Sequence, residues 1–215
     1  MAATAMGRDD NPGLHPSACI TINLVRNNAM TTSVSVLVGS LRKASFSRKM
    51  AHVLIGLAPV DLKFEIVEVG DLPLYNEDLE QETPPAAWTA FRDKVKGSDA
   101  VLFVTPEYNR SVPAVLKNAL DVGSRPYGKS VWSGKPGAVV SVSPGGIGGF
   151  GANHHLRQSL VFLDVPTLQQ PEAYIGGVGN LLDESGKLLN GNTEKFLTAF
   201  IATFGKWIAS NRSRA

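Results

Sequence analysis

Val101-Leu102-Phe103-Val104-Thr105-Pro106-Glu107-Tyr108-Asn109-Arg110-Ser111-Val112-Pro113-Ala114-Val115-Leu116-Lys117-Asn118-Ala119-Leu120-Asp121 is the stretch that decides the fold. Residues 101–104 are an unbroken apolar run too short for a helix, the pattern of a strand buried on both faces of a parallel sheet and therefore expected at its centre. Thr105-Pro106 stops it, because proline offers no N–H to a neighbouring strand and holds the residue before it extended. Ser111 is expected to cap the helix that follows, with Pro113 in its first turn and Val112, Val115, Leu116 and Ala119 on its apolar face. Between strand and helix lie Glu107, Tyr108, Asn109 and Arg110. Open α/β sheets bind ligands at the carboxyl ends of their strands, so this loop is a candidate site; the alternative is an ordinary βα loop whose tyrosine packs on the sheet edge.

Working back towards the amino terminus, residues 34–38 read as the first strand, followed by Gly39-Ser40-Leu41-Arg42-Lys43-Ala44-Ser45-Phe46-Ser47-Arg48 and a helix whose inner face is Met50, Val53, Leu54 and Leu57. Hydroxyls and cations gathered before a helix N-terminus, where unpaired N–H groups and the positive end of the dipole lie, form an anion site. Ser40, Arg42, Ser45 and Ser47 are such a set, an arginine fork being suited to phosphate oxygens. On the other reading the serines are caps, and Arg42 and Lys43 a solvated face. Residues 63–69 alternate as a second strand, 70–78 read as a loop, and Pro84-Pro85 opens a helix over 86–96. Asp71, Glu77, Asp78 and Glu80 lack calcium-loop spacing and read as solvated loop charges, so no metal is assigned.

Towards the carboxyl terminus, residues 135–142 form a fourth strand and lead into Ser143-Pro144-Gly145-Gly146-Ile147-Gly148-Gly149-Phe150-Gly151. Gly146, Gly148 and Gly151 match the spacing of a dinucleotide fingerprint, with Asp164 placed for a ribose, but that fingerprint normally opens the first βα unit rather than following a fourth strand. Adjacent His154 and His155 point about 100° apart on a helix and cannot share a metal as i, i+4 histidines can. Residues 165–168 read as a short fifth strand, 169–179 as a connection, and Phe196, Leu197, Phe200, Ile201, Phe204, Trp207 and Ile208 as the buried stripe of a last helix. Alternating strands and helices give an α/β, doubly wound, five-stranded parallel sheet of order 2-1-3-4-5 with helices on both faces.

Composition narrows the function. In 215 residues, 43% hydrophobic, one core can form, and we expect a single domain over 31–212 preceded by a disordered extension, 1–30, in which 19–25 is an apolar island. A net charge of +2 with no basic cluster interleaved with aromatics argues against a nucleic-acid partner. The single cysteine, Cys19, allows neither an internal disulfide nor a dithiol motif and suits a reducing, cytoplasmic setting. No apolar run approaches the roughly 20 residues of a membrane span.

Pro106-Glu107-Tyr108-Asn109 with Ser111-Val112-Pro113 and the 116–121 segment resembles the flavin-contacting segment of the NADPH-dependent FMN reductase family. Gly39-Ser40-Leu41-Arg42-Lys43 and Ser143-Pro144-Gly145-Gly146 extend the resemblance over about residues 33–177. That family includes bacterial quinone and chromate reductases with a flavodoxin-like fold. The resemblance implies FMN with its phosphate at Ser40, Arg42, Ser45 and Ser47, the last standing where the family has an asparagine. It places the ring against Pro106, Glu107, Tyr108 and Asn109 and against Ser143, Gly145 and Gly146, with backbone groups bonding its edge. NADPH or NADH would be co-substrate, small molecules the acceptors, and no side chain would act as acid or nucleophile. It also implies a homodimer or homotetramer, for which Arg125, Tyr127 and Trp132 are candidate interface anchors or, equally, loop packing. Two other readings stay open: a flavodoxin-type electron carrier, and a nicotinamide-only dehydrogenase using the glycines at 146–151. A Ser-His-Asp hydrolase is excluded for want of a Gly-x-Ser-x-Gly elbow.

Overall fold

Five strands assemble into one parallel sheet: Thr32–Val38 (β1), Leu62–Ile66 (β2), Ala100–Thr105 (β3), Gly137–Val142 (β4) and Ala173–Ile175 (β5), in the order β2-β1-β3-β4-β5. The computed structural model describes residues 31–212; the extension, its 19–25 island and Cys19 lie outside the described residues. β3 is central, with Val36 opposite Leu102 on one side and Ala138 opposite Leu102 on the other. Every residue of β3 and β4 is buried, as expected of strands covered on both faces.

Successive side chains of a strand point to opposite faces, and the two faces nucleate separate cores. Leu102 and Val104 join Val36, Val38 and Val140 against Met50 and Leu54 of Phe46–Gly56 (α1) and against Leu197, Phe200, Ile201 and Phe204 of Gly191–Asn211 (α6). Val101 and Phe103 join Leu37 and Val139 on the other side. There they meet Trp88 and Phe91 of Ala86–Lys96 (α3), Leu116 and Leu120 of Ala114–Gly123 (α4), and Leu156 and Leu160 of Phe150–Phe162 (α5).

Five expectations need correction. Ser111 does not cap α4: Pro113 takes the cap position, while the Ser111 N–H and C=O both pair with Tyr108 and its hydroxyl meets His155 Nδ1 at 3.0 Å. Residues 165–168 are not the fifth strand. Pro166 has no N–H, so after one bridge between Thr167 and Gly137 the chain loops away and returns at Ala173, opposite Val140. The acidic segment read as loop holds a short helix, Glu77–Glu82 (α2), because Asn76 accepts the Asp78 N–H and the carboxylates of Glu77, Asp78 and Glu80 suit a helix start. Within it Glu80 is not a solvated charge but forms a two-point pair with Arg92 at 3.0 and 2.5 Å. Lastly, Trp132 is fully buried against Phe91 and Phe103, donating its indole N–H to Leu120 O at 3.0 Å, and is a core residue rather than an interface anchor.

At the amino edge of the sheet Asp99 gathers the start of β1 and the end of α6. Its Oδ2 accepts the N–H and hydroxyl of Ser33 at 2.7 and 2.9 Å, and its Oδ1 lies 2.9 Å from Arg212. Burial pushes the Asp99 carboxyl up, but the Ser33 bonds and the Arg212 guanidinium outweigh it and hold it below the usual range. A depressed folded-state value means that folding favours the ionised form, so this stabilisation is present above the unfolded carboxylate range and fades as pH falls through the folded value. Asp99→Asn should therefore lower the thermal midpoint at neutral pH, and the gap from wild type should narrow as the scan buffer is taken from about pH 6 towards pH 3.

Candidate functional site

The carboxyl ends of β1, β3 and β4 bring three loops to one edge. Gly39 N–H donates to Val104 O at 2.9 Å, carrying the loop after β1 alongside β3. A Cβ at Gly39 would stand 2.8 Å from Leu116 Cδ1 and 3.0 Å from Pro106 Cδ, so only glycine permits this approach. At the third loop, a Cβ on Gly149 would lie 3.6 Å from Glu107. The sites read separately from sequence thus share one rim.

Within the loop after β3, Tyr108 and Ser111 exchange both backbone hydrogen bonds, at 3.2 and 3.0 Å, across a tight turn. Its two central residues, Asn109 and Arg110, have φ of 51° and 63°. Left-handed backbone of this kind is easy for asparagine and strained for arginine. The turn is held by Glu107, whose carboxylate accepts the Ala152 N–H of α5 at 3.1 Å and one Arg110 N–H at 3.2 Å. Two consequences follow for ring binding. Tyr108 has no free backbone group, which leaves the N–H groups of Glu107 and Asn109 as donors, with the half-exposed Tyr108 ring beside them. The Glu107 side chain is a support for the turn and for the start of α5.

The 143–149 loop is braced from behind by residues that the sequence reading assigned to a plain connection. Val178 N–H donates to Ser143 O and Gly177 N–H to Gly145 O, at 3.2 and 3.3 Å, while Ser143 Oγ accepts Gly145 N–H at 3.1 Å. A Cβ on Gly176 would stand 2.6 Å from Gly146 O, which fixes how closely the two loops pack. Pro144, Gly145, Gly146 and Ile147 face outward, and nothing lies within 4 Å of a Cβ placed on Gly146. A flat ligand can therefore approach the backbone there. The dinucleotide alternative is not supported by this geometry. Asp164 sits beyond the far end of α5, whose 13 residues span about 20 Å. It accepts the Ser133 hydroxyl at 2.9 Å and the Gly134 N–H at 2.8 Å, beside the start of β4. Glu107 already occupies the N-terminus of α5, where that fingerprint would seat its pyrophosphate.

The N-terminus of α1 is open by comparison. Ser45 caps it, accepting Arg48 N–H at 3.1 Å, and no acidic residue stands in its first turn. Phe46 and Ser47, the first two helical residues, have no intrahelical acceptor for their N–H groups. Ser40 and Ser47 are buried, yet neither hydroxyl bonds a side chain or backbone group among the described residues. Arg42 and Lys43 stand exposed at the loop tip, and Arg48 is engaged elsewhere, its two-point bond to Glu68 at 2.8 and 2.6 Å raising the arginine pKa and lowering that of the glutamate. Donors without partners around a helix N-terminus fit a phosphate, and the bare 145–146 backbone fits a ring, so the residues present suit FMN.

A supporting residue missed from sequence is Asn118. It is buried on the inner face of α4, accepts Tyr75 N–H at 2.9 Å and donates to Leu72 O and Pro73 O at 3.1 and 3.0 Å, fixing the loop after β2. The signal was available: an asparagine three residues after Val115 on an apolar face must find hydrogen-bond partners.

Comparison with known proteins agrees with this geometry. The family model for NADPH-dependent FMN reductase matches residues 32–179. A quinone reductase of Pseudomonas putida is 66% identical over 181 residues, covering 84% of this chain and 97% of the relative. A 2-hydroxy-1,4-benzoquinone reductase of Burkholderia sp is 44% identical over 183 residues, covering 85% of this chain and 100% of the relative. Among solved structures, a flavoenzyme NAD(P)H:(acceptor) oxidoreductase from Paracoccus denitrificans superposes with a TM-score of 0.79 at 42% identity, covering 84% of this chain and 98% of that one.

If the α1 N-terminus holds the phosphate, Ser47→Ala should weaken FMN binding by about 0.5–1.5 kcal/mol and Arg42→Ala by about 1.5–3 kcal/mol, the ranges for neutral and charge-assisted hydrogen bonds. Both variants should melt like the wild-type apoprotein. Titration of apoprotein with FMN, followed by the quenching of flavin fluorescence, checks this; unchanged dissociation constants would move the phosphate elsewhere.

Proposed function

The chain belongs to the NADPH-dependent FMN reductase family, and from that membership we infer that the protein is an FMN-dependent oxidoreductase that takes electrons from NAD(P)H and passes them to a quinone. The observation that carries the reading is the shared rim: an open helix N-terminus at α1 beside two loops that present backbone rather than reactive side chains. When bound, FMN would supply the electron chemistry, the two-electron transfer from a nicotinamide to a quinone.

The chain's own residues then bind and orient. Ser40, Ser45 and Ser47, the first N–H groups of α1 and the Arg42 guanidinium hold the phosphate. The N–H groups of Glu107, Asn109 and Gly146 bond the ring edge, Pro106 and Tyr108 border one side of the ring, and Ser143 with Gly145 keeps the third loop in shape. No carboxylate, histidine or thiol is required to carry a proton, since both the ring and the acceptor are reached from solvent. A flavodoxin-type carrier, usually strongly acidic, is disfavoured by the near-neutral charge of +2. Chromate is a further acceptor to assay. The cytoplasm, where NAD(P)H is maintained, is the compartment that suits the activity, and none of the described helices is long and apolar enough to cross a membrane.

We propose that two copies associate through the groove between α4 and α5. Its cavity of about 790 Å³ is lined by Val112, Leu120, Leu163 and Phe162, while Lys117 and Asp121 on its α4 side neutralise each other at 2.9 Å and leave the groove mainly apolar. Val161 and Phe162, 79% and 89% exposed, extend the apolar surface beyond it. Light scattering should give a multiple of 22.9 kDa for the wild type, and Phe162→Asp should shift it towards the single-chain mass. A wild-type mass of one chain at micromolar concentration would remove the interface.

Because one open ring face must serve both substrates, turnover should be ping-pong, with oxidised nicotinamide leaving before the quinone enters. Purified protein should be yellow, and initial rates over a grid of NAD(P)H and benzoquinone concentrations should give parallel double-reciprocal lines. Intersecting lines would require both substrates to be bound together. A colourless protein that binds no added FMN would overturn the assignment itself.

A further inference from the structure

Arg110 occupies a position where its residue type is unfavourable. Its φ of 63° is a left-handed conformation that glycine or asparagine adopts with less strain, and it follows Asn109, already at 51°. Packing does not demand the side chain, which is 73% exposed. Its partner Glu107 uses one carboxylate oxygen for the Ala152 N–H and offers the other to a single Arg110 N–H at 3.2 Å, so most of the five guanidinium donors point to solvent. Besides the Glu107 contact, the turn is held by the Tyr108 and Ser111 backbone pair and by Ser111 on His155, so its shape does not rest on the Arg110 side chain alone.

What remains is a cation tethered at the rim of the ring site, two residues from Tyr108. We propose that Arg110 is the residue that holds the phosphate charge of the nicotinamide dinucleotide, an inference resting on the flavin reading above. NADH and NADPH share a pyrophosphate, and NADPH adds a 2′-phosphate; both are anions that a guanidinium fork recognises with two parallel N–H bonds. Glu107 limits the rotation of the side chain, so less freedom is lost when the nucleotide arrives. Because a quinone carries no phosphate, the residue acts in one half of the cycle only. Its charge at this position comes at the cost of a left-handed backbone that glycine would relax.

The two half-reactions separate the inference from its alternatives. Flavin-loaded Arg110→Gln would be mixed anaerobically with NADPH, with NADH, or with 1-benzyl-1,4-dihydronicotinamide, a hydride donor without any phosphate, and the loss of flavin absorbance followed. At subsaturating nucleotide the variant should bleach about 10- to 100-fold more slowly than wild type, the loss expected for a charge-assisted hydrogen bond. With the phosphate-free donor the two proteins should match, as should reoxidation by benzoquinone and affinity for FMN. Equal losses with NADH and NADPH would identify the pyrophosphate, and a loss confined to NADPH the 2′-phosphate. Arg110→Lys should recover part of the rate, and Arg110→Gly, free of strain, should melt no lower than wild type while showing the same nucleotide defect. An equal loss with the phosphate-free donor would instead make Arg110 a shaper of the ring site, and no loss with either nucleotide would leave it a surface charge; both overturn the inference. Wild-type protein that none of the donors bleaches would overturn the flavin reading, and this inference with it.

Discussion

A buried parallel strand must pair every backbone N–H and C=O with its neighbours, and where that pairing stops the chain has to leave the sheet. In β3 the stop is Thr105-Pro106, flanked by Val38 of β1 opposite Val104 and by Ser141 of β4 opposite Thr105. Three adjacent strands therefore end together, and right-handed crossovers send the helices that follow them off the same edge. Helix N-termini and loop backbone collect there as a result of strand pairing. Which helix serves an anion is then decided by one carboxylate. Glu107 occupies the start of α5, while α1 has Ser45 as its cap and no acid in its first turn. The positive end of the α1 dipole is left for a phosphate.

The parts of the fold legible in sequence were those whose burial follows from local pattern alone. β1, β3 and β4 are dominated by apolar residues because helices cover both faces, and the stripe from Phe196 to Ile208 repeats at helical spacing over most of α6. The failures arose where a missing donor or a partner distant in sequence overrode the local pattern. At 165–168 the residues have strand character, and Val165 and Leu168 are indeed buried, but Pro166 lacks the donor needed to continue beside β4. Trp132 lies in a polar, glycine-containing loop of the kind that usually exposes an aromatic. A Cβ on Gly123 would stand 2.5 Å from the Trp132 ring, so it is the bare backbone of α4 that admits it to the core. Glu80 read as solvated because Arg92, twelve residues on, gave no local sign of reaching it.

The candidate site divides along a similar line. Ser40, Ser45, Ser47 and Arg42 could be picked out because hydroxyls and a cation before a helix carry chemistry in their side chains. Tyr108 and Asn109 stood out by composition, yet the structure alone shows that the Tyr108 backbone is committed to Ser111 and that Asn109 N–H has no acceptor among the described residues. The support from 176–178 left no mark in residue type, since it is made by main-chain atoms bonding main-chain atoms. A site that works largely through backbone donors is only partly visible in a sequence, because every residue except proline carries the same N–H.

A site of this kind needs rigidity more than reactive groups. Donors aimed at a ring edge are useful only if they hold their direction when the electron count of the ring changes, and loop backbone is mobile unless it is tied down. Here each loop is tied at a separate point: Gly39 to Val104, the 108–111 turn to α5 through Glu107 and His155, and Gly145 to Gly177. The left-handed residues Asn109 and Arg110 are tolerated because those ties determine their conformation from both sides. The strain is then a consequence of the tight turn by which the chain reverses between Tyr108 and Ser111. The loop after β2, fastened by Asn118 and by the Trp88 indole on Pro73 O at 2.9 Å, extends the same principle to the neighbouring wall. The ordered loops at this edge of the sheet thus derive their order from helices that are themselves fixed by the two cores, and core packing is what orients the donors of the site.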